Sequence, residues 1–369
     1  MRPTPTIGVE EELALVDLRT GALTGKSDQV LDRIDDDVPG LVEHELKVCQ
    51  VETASPVCSD LDSLATSLRS LRAAAADAAA RVGCGVLAAG THPTSSWKDQ
   101  AVTARTSYRQ LEQDYQRLAD EQVVFGCHVH VGIDDPDLRI AVLDRVRPWL
   151  SVLLALSANS PFWEGEDTGY ASYRYVVFSR WPTFGPPEPL GDWAGFESVV
   201  QTLQDSEAID GPQRLYWTAR PSATYPTIEF RIADVCPTVD DAVVLAGLAR
   251  GLAMAAIDDV DRGTPCPDVP STLLRSAEWR AARYGLDDGL LDPVTGTERP
   301  AGEVVAQLLD HVGPSLERTG EEDRVRADVA ALIARGTGAD RQRSADSMAS
   351  DRGALVRSLI EPTRPTSSC

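Results

Sequence analysis

Residues 6–16 read T-I-G-V-E-E-E-L-A-L-V, and the alternation along this stretch decides the fold. Successive side chains of a strand point to opposite faces. Ile7, Val9, Leu13 and Leu15 therefore share one face, and Gly8, Glu10 and Glu12 share the other. Glu11 falls on the apolar face, which argues for a position at an edge. A buried ionised carboxylate costs roughly several kcal/mol unless it is paired or bound to a metal. Two side by side ask for a cation, and carboxylate oxygens suit Mg²⁺ or Mn²⁺. The plain alternative is a solvated strand with three surface glutamates.

Other segments repeat the design. In V-V-F-G-C-H-V-H-V-G-I (123–133), Val123, Phe125, Cys127, Val129, Val131 and Ile133 line one face, and Gly126, His128, His130 and Gly132 the other. A strand over 44–54 puts Gln50 and Glu52 on one face. In 226–233, Ile228, Phe230 and Ile232 oppose Thr227, Glu229 and Arg231. Further strands are expected at 85–90, 172–179 and 214–220. One apolar face per strand marks an antiparallel sheet covered on one side. The element order is not a regular β-α-β-α series. The reading is therefore α+β, with helices on one face and a ligand-holding face opposite.

Helices are expected at 27–36, from Asp60 to Val82, and over 106–121, 138–158, 239–258, 269–283 and 300–318. In the second of these, Leu61, Leu64, Leu68 and Leu71 recur at helical spacing. The Gly-, Pro- and Trp-rich stretch 160–195 reads as a cover over an active site. Residues 1–335 read as a single domain. Residues 336–369 read as one amphipathic helix, about 340–360, and a frayed tail.

Composition narrows the function. The chain has 369 residues, 43% hydrophobic and 25% charged, with a net charge of −22. That charge argues against sequence-independent nucleic-acid binding and against anionic membranes. No stretch approaches the roughly 20 apolar residues of a membrane span. M-R-P-T-P-T lacks a signal-peptide core, so the cytoplasm is the default location. Seven irregularly spaced cysteines, none in C-x-x-C, suggest neither a disulfide framework nor a zinc site. G-x-x-x-x-G-K-[ST] and G-x-S-x-G are absent, so any nucleotide must be held by metals and arginines.

The polar faces supply those groups. His130, flanked by glycines that allow close approach, is a candidate metal or phosphate contact, with His128 beside it. H-x-H with carboxylates also fits a zinc or iron hydrolase. Glu229 and Arg231 are either a cross-strand ion pair or a metal ligand with a phosphate clamp, since the guanidinium fork matches phosphate oxygens. Arg220 and Arg174 are further clamp candidates. A non-catalytic metabolite-binding protein is a third reading, disfavoured by the full acidic set.

The motifs occur in one order: G-V-E-E-E-L (8–13), Q-V-E-T-A-S-P-V-C (50–58), A-G-T-H-P (89–93) and F-G-C-H-V-H-V-G (125–132). A-L-S-A-N-S-P-F (155–162), L-Y-W-T-A-R-P-S (215–222) and T-I-E-F-R-I-A-D (227–234) follow. This order resembles the type 2 glutamate–cysteine ligases, also called carboxylate–amine ligases, to about residue 335. The resemblance implies a glutamine-synthetase-like fold, a curved antiparallel sheet forming an open bowl with helices outside. It implies ATP and Mg²⁺, with Mn²⁺ as a substitute, small-molecule carboxylate and amine substrates, and at family level a homodimer. It matches the metal ligands to Glu10, Glu12, Glu52, His130 and Glu229, and the catalytic arginine to Arg231. Glu45 is a weaker match because its parity is opposite to that of Glu52, so it joins the site only through a bulge.

Overall fold

The computed structural model describes residues 2–35 and 37–364. Its first strands are β1 (Ile7–Asp17), β2 (Leu41–His44), β3 (Gln50–Ala54), β4 (Cys84–Leu87) and β5 (Gly126–Gly132). A separate hairpin, β6 (Phe162–Trp163) and β7 (Glu166–Asp167), precedes β8 (Ala219–Pro221) and β9 (Thr227–Asp234). A second hairpin pairs β10 (Gly289–Leu291) with β11 (Glu298–Pro300). The main sheet runs β2-β3-β1-β5-β9-β8, with β4 also on β1. Its pairings are antiparallel. It is an unclosed sheet with packed helices, the α+β architecture expected.

The helices are α1 (Ser27–Leu31), α2 (Leu61–Ala80), α3 (Thr106–Tyr115), α4 (Arg117–Asp120), α5 (Pro136–Val146), α6 (Leu150–Ser157), α7 (Tyr173–Phe178) and α8 (Trp193–Asp205). Then come α9 (Val239–Asp261), α10 (Ser271–Tyr284), α11 (Ala301–Glu317), α12 (Glu322–Arg335), α13 (Gly338–Met348) and α14 (Arg352–Thr363). No helix among the described residues is long and apolar enough to cross a membrane.

The apolar strand faces are the buried ones. Ile7 and Val9 join Leu61, Leu64 and Leu68 of α2, Val129 and Val131 of β5, and Val243, Leu245 and Leu248 of α9. Leu13 and Leu15 pack with Val51, Ala75 and Val86. Fully burying each such side chain is worth roughly 1.5–3 kcal/mol. A one-residue slip of β1 would send this set to the other face, so the register is strongly specified. Of the described cysteines, Cys49, Cys58, Cys84, Cys127 and Cys236 are buried and Cys266 is exposed, and all are free.

Several expected elements differ. Glu11 lies not at an edge but mid-sheet and wholly buried, ion-paired to Arg72 of α2. The strand expected at 172–179 is the helix α7, because the Ser172 side chain caps the Tyr175 N–H while bonding Asp234. The strand over 44–54 is split into β2 and β3 by a turn in which the Lys47 N–H donates to Gln50 Oε1 at 2.9 Å. The helix over 138–158 is broken by a 3₁₀ turn, Arg147–Trp149, at Pro148, whose ring cannot continue the i→i−4 ladder. The helix over 106–121 divides into α3 and α4 at Gln116, which has a φ of 49°. The strand at 214–220 shortens to β8. The helix expected at 27–36 ends at Leu31, and Asp36 lies outside the described residues.

The C-terminal stretch holds two helices where one was expected. Both fold back on the body. Gln342 Nε2 donates to the Asn159 carbonyl at 2.8 Å, and Val356 is buried in the core beside β4. The Ala88 N–H donates to Thr363 Oγ1 at 3.0 Å. The expected tail, for residues 365–369, lies outside the described residues.

Candidate active site

Sheet register assembles the polar face. Glu12 stands opposite Glu52 across β1 and β3, and Glu10 opposite His128 across β1 and β5. One row crosses four strands: Gly8 opposite His130, His130 opposite Glu229, Glu229 opposite Arg220. A Cβ on Gly8 would meet His130 Cβ at 4.0 Å and Ser55 Oγ at 3.7 Å. The glycine thus leaves a gap beside the histidine.

Glu10 is the hub. Its carboxylate lies 3.5 Å from His128 Nδ1 and 3.3 Å from His130 Nε2. Donor atoms of Glu10, Glu52 and His128 lie within 4.8 Å of one another, and so do those of Glu10, His130 and Glu229. Glu10 belongs to both sets. His130 Nδ1 sits 2.9 Å from Thr227 Oγ1, which fixes the ring. His128 Nε2 and His130 Nε2 are buried without a hydrogen-bond partner. Buried nitrogens without partners are rare. Beside carboxylates they fit a divalent cation.

Glu12 occupies a different place. It accepts the Gly126 N–H at 2.5 Å and lies 3.8 Å from His128 Nε2, outside both donor sets. Arg231 is ion-paired to Glu229, and its Nε is unpartnered. Arg220 lies behind Glu229, bonding its carboxylate at 2.8 Å and the carbonyls of Gln213 and Leu215. Arg174 lies under Gly126 and donates to the carbonyls of Arg231 and Ile232, each at 3.3 Å. Of the three arginines, Arg231 reaches the cluster and the other two stand one layer back.

Burial and crowding set the protonation. Burial raises the Glu52 carboxyl well above its ordinary range, and Glu45, Glu10 and Glu12 add to the effect. Burial and then Glu12 push Glu45 up to about 7. Against the effect of burial, His128 and His130 hold Glu10 low, and Arg231 and Arg220 hold Glu229 well below the carboxylate range. Burial and then Arg231 lower His128. His130 is raised despite burial, by Glu10 and Glu229. Glu10, Glu12, Glu45, Glu52 and Glu229 thus crowd together beside Arg231, and a cation among them would draw Glu45 and Glu52 back toward their charged forms.

Two hollows flank the cluster. A cavity of about 480 Å³ is lined by Gly8, Glu10 and His130 on the sheet side and by Leu41, Val57 and Tyr225 at its rim. Those three rim residues are exposed despite their apolar character, and the Tyr225 ring meets the His130 ring edge-on. A smaller hollow of about 100 Å³ lies between Glu12, Glu45, Tyr108, Trp181, Tyr216 and Arg231. Glu45 reaches it through the β2–β3 turn rather than a bulge, and accepts from Tyr108 Oη at 2.9 Å. Alternation along one continuous strand cannot place Glu45, because β2 ends at His44 and β3 starts at Gln50. The short four-residue β2 and the Lys47–Gln50 turn were the missing signal. His128 belongs to the cluster as fully as His130.

A model of the Glutamate-cysteine ligase family 2 matches residues 6–362. The chain belongs to this family. Among family-2 relatives, the protein of Rhodopirellula baltica named "Putative glutamate--cysteine ligase 2" is 39% identical over 367 residues, covering 98% of each chain. One of the same name from Salinispora arenicola is 41% identical over 361 residues, covering 98% of this chain and 95% of its own. Among solved structures, the glutamate–cysteine ligase of Francisella tularensis in complex with AMP superposes with a TM-score of 0.72 at 12% identity, over 99% of this chain and 90% of that one. A bifunctional glutathione synthetase from Pasteurella multocida gives 0.69 at 15% identity, over 98% and 52%. These likenesses establish the fold of the family-2 chain. Its ordered motifs had pointed to the same family.

Proposed function

We propose that the chain is an ATP-dependent carboxylate–amine ligase that forms an amide through an acyl phosphate, with L-glutamate and L-cysteine as the reference pair. The carrying observation is Glu10, one carboxylate shared by two donor sets with Arg231 alongside. Adjacent cation sites on one carboxylate suit the charge of a triphosphate. Family membership and the AMP bound to the Francisella relative support ATP.

The chemistry follows from the difficulty of the reaction. A carboxylate is a poor acyl donor because its leaving group would be oxide. Moving the γ-phosphoryl group onto it creates phosphate as a leaving group, which the amine displaces. Glu10, Glu52, His128, His130 and Glu229 would hold Mg²⁺ or Mn²⁺, which supplies charge neutralisation and alignment of phosphate oxygens. The unpartnered Nε–H of Arg231 is placed to stabilise charge on the moving phosphoryl group. Arg220 and Arg174 keep Glu229 and the Arg231 backbone in place. The larger, mostly apolar cavity suits a nucleoside, and the smaller one, with Glu45 and Tyr108, suits the acid and amine. Residues 160–195 serve as the cover that keeps water from the acyl phosphate. A protein of this kind works in the cytoplasm on small metabolites.

The test is an ADP-release screen over paired acids and amines with Mg²⁺. ADP release that needs both an acid and an amine supports the ligase. Metal-dependent cleavage without ATP makes it a hydrolase on the same ligands. Nucleotide binding with no turnover on any pair makes it a binding protein.

A further inference from the structure

Arg231 stands at an irregular point of the sheet. The register between β5 and β9 shifts between Cys127 and Val129, where Cys127 faces Ala233 but Val129 faces Phe230. Arg231 and Ile232 thus form a bulge, and bulged residues lose their ladder partner. The Arg231 backbone is held from the other side. Its N–H donates to the Thr218 carbonyl at 2.9 Å, and its carbonyl accepts from Arg174 at 3.3 Å.

Both supports lead to one residue outside the site. Thr218 Oγ1 donates to Glu278 Oε1 at 2.9 Å, and Tyr175 Oη, next in sequence to Arg174, donates to Glu278 Oε2 at 3.1 Å. Glu278 lies on α10, is fully buried, and has no ion-pair partner among the described residues. The other buried glutamates of the scaffold are paired, Glu11 with Arg72 and Glu321 with Arg250. A buried carboxyl held by two hydroxyls and no cation is costly in its ionised form. Its retention calls for a role that an apolar side chain could not fill.

We propose that Glu278 is the positioning residue for Arg231, acting as a double hydrogen-bonding brace that ties Thr218 to α7 and so fixes the N–H and the carbonyl of Arg231. The proposal rests on the ligase reading for the task of Arg231 and on geometry alone for the brace. Burial pushes the Glu278 carboxyl up to about 8, against the bonds from Thr218 and Tyr175, which lower it. The titratable groups that face it are Tyr175 from α7 and Arg275 from its own helix. The packed helix α6 and strand β10 carry no titratable side chain.

The test compares Glu278→Gln, which keeps one donor and one acceptor, with Glu278→Leu. In acid- and amine-dependent ADP release at pH 7, Glu278→Leu should lose about tenfold in kcat, with KM for ATP within twofold. Glu278→Gln should stay within twofold of the parent protein. A parent-like kcat in Glu278→Leu, or a loss in Glu278→Gln as large as in Glu278→Leu, overturns the proposal. Should Glu278→Leu not fold, Thr218→Val cuts one arm alone and should lower kcat about threefold; no change overturns the brace. A readout free of turnover separates this from the ligase reading. The Arg231 side-chain Nε–H resonance, assigned with Arg231→Lys, should persist in the parent and in Glu278→Gln and broaden in Thr218→Val and Glu278→Leu. An identical resonance in all of them overturns the brace even where the parent releases no ADP.

Discussion

Glu11 and Arg72 meet across the interface of β1 and α2 through two hydrogen bonds, of 2.6 and 2.9 Å, with both side chains wholly buried. Arg72 also donates to the carbonyls of Cys236 and Pro237, so one guanidinium joins β1, α2 and the chain leaving β9. Removing one partner of a buried pair leaves the other charge uncompensated, at a cost of roughly 3–5 kcal/mol. Arg72→Ala should therefore lose about that much in urea unfolding. Joint replacement of Glu11 by Leu and Arg72 by Met should recover most of it. A double variant no better than Arg72→Ala would show that the carbonyl contacts, not the charges, dominate.

The shared carboxylate predicts unequal effects on cation binding. Glu10→Gln should weaken both cation sites and Glu52→Gln only one, counted by Mn²⁺ titration with electron paramagnetic resonance. Each should reduce ADP release at least a hundredfold while the circular dichroism spectrum is kept. Near-normal turnover in both would remove these residues from the metal assignment.

Tyr225 presents an exposed ring at the rim of the larger cavity. Stacking of a base on an aromatic ring is worth about 1–3 kcal/mol. Tyr225→Ala should raise KM for ATP about tenfold and leave kcat and the melting temperature unchanged, because the ring is half exposed. An unchanged KM would move the nucleoside elsewhere.

His92 is expected to contribute to the acid limb of stability. Its Nε2 donates to the Gly21 carbonyl at 2.9 Å, and its Nδ1 accepts the N–H groups of Thr94 and Ser95 at 3.2 and 2.9 Å. Burial pushes this imidazole down to about 4. The unfolded chain takes up a proton near pH 6.5 and the folded one does not, so the contribution is present above 6.5 and is lost as pH falls toward 4. Thermal melts from pH 7 to 4.5 should show a smaller decline for His92→Gln than for the parent. Equal slopes would assign the acid limb to other groups.

The C-terminal helices are proposed as part of the stable body. Removing residues 338–369 strips the Gln342–Asn159 bonds, Val356 from the core and the Thr363 contact with Ala88. Loss of cooperative melting is expected for the truncated chain. A truncated protein with the parent melting temperature would make the segment dispensable.

Much of this was legible because period-two alternation is a local property. Glu10, Glu52, His130 and Glu229 could be assigned to one face from their own strands, without knowing how the strands paired. What depended on distant partners was not legible. Glu11 looked misplaced because its partner lies 61 residues away. A signal did exist: Arg72 continues the stripe Leu64, Leu68 at four-residue spacing and so shares the buried helix face. YRYVVF has the composition of a strand, and became a helix through a cap whose anchor, Asp234, lies 62 residues further on. Glu45 needed a turn, and turns are set by backbone geometry that alternation does not record.

Because Gly8, His130, Glu229 and Arg220 form one row over four strands, the site is a report on assembly. No fragment that lacks one of these strands holds the whole row, and a single misregistered pairing carries its donor to the helix-covered side. Cation affinity should therefore arise late in refolding, after the long-range pairings close, and molecules trapped with partial sheets would be silent rather than weakly active.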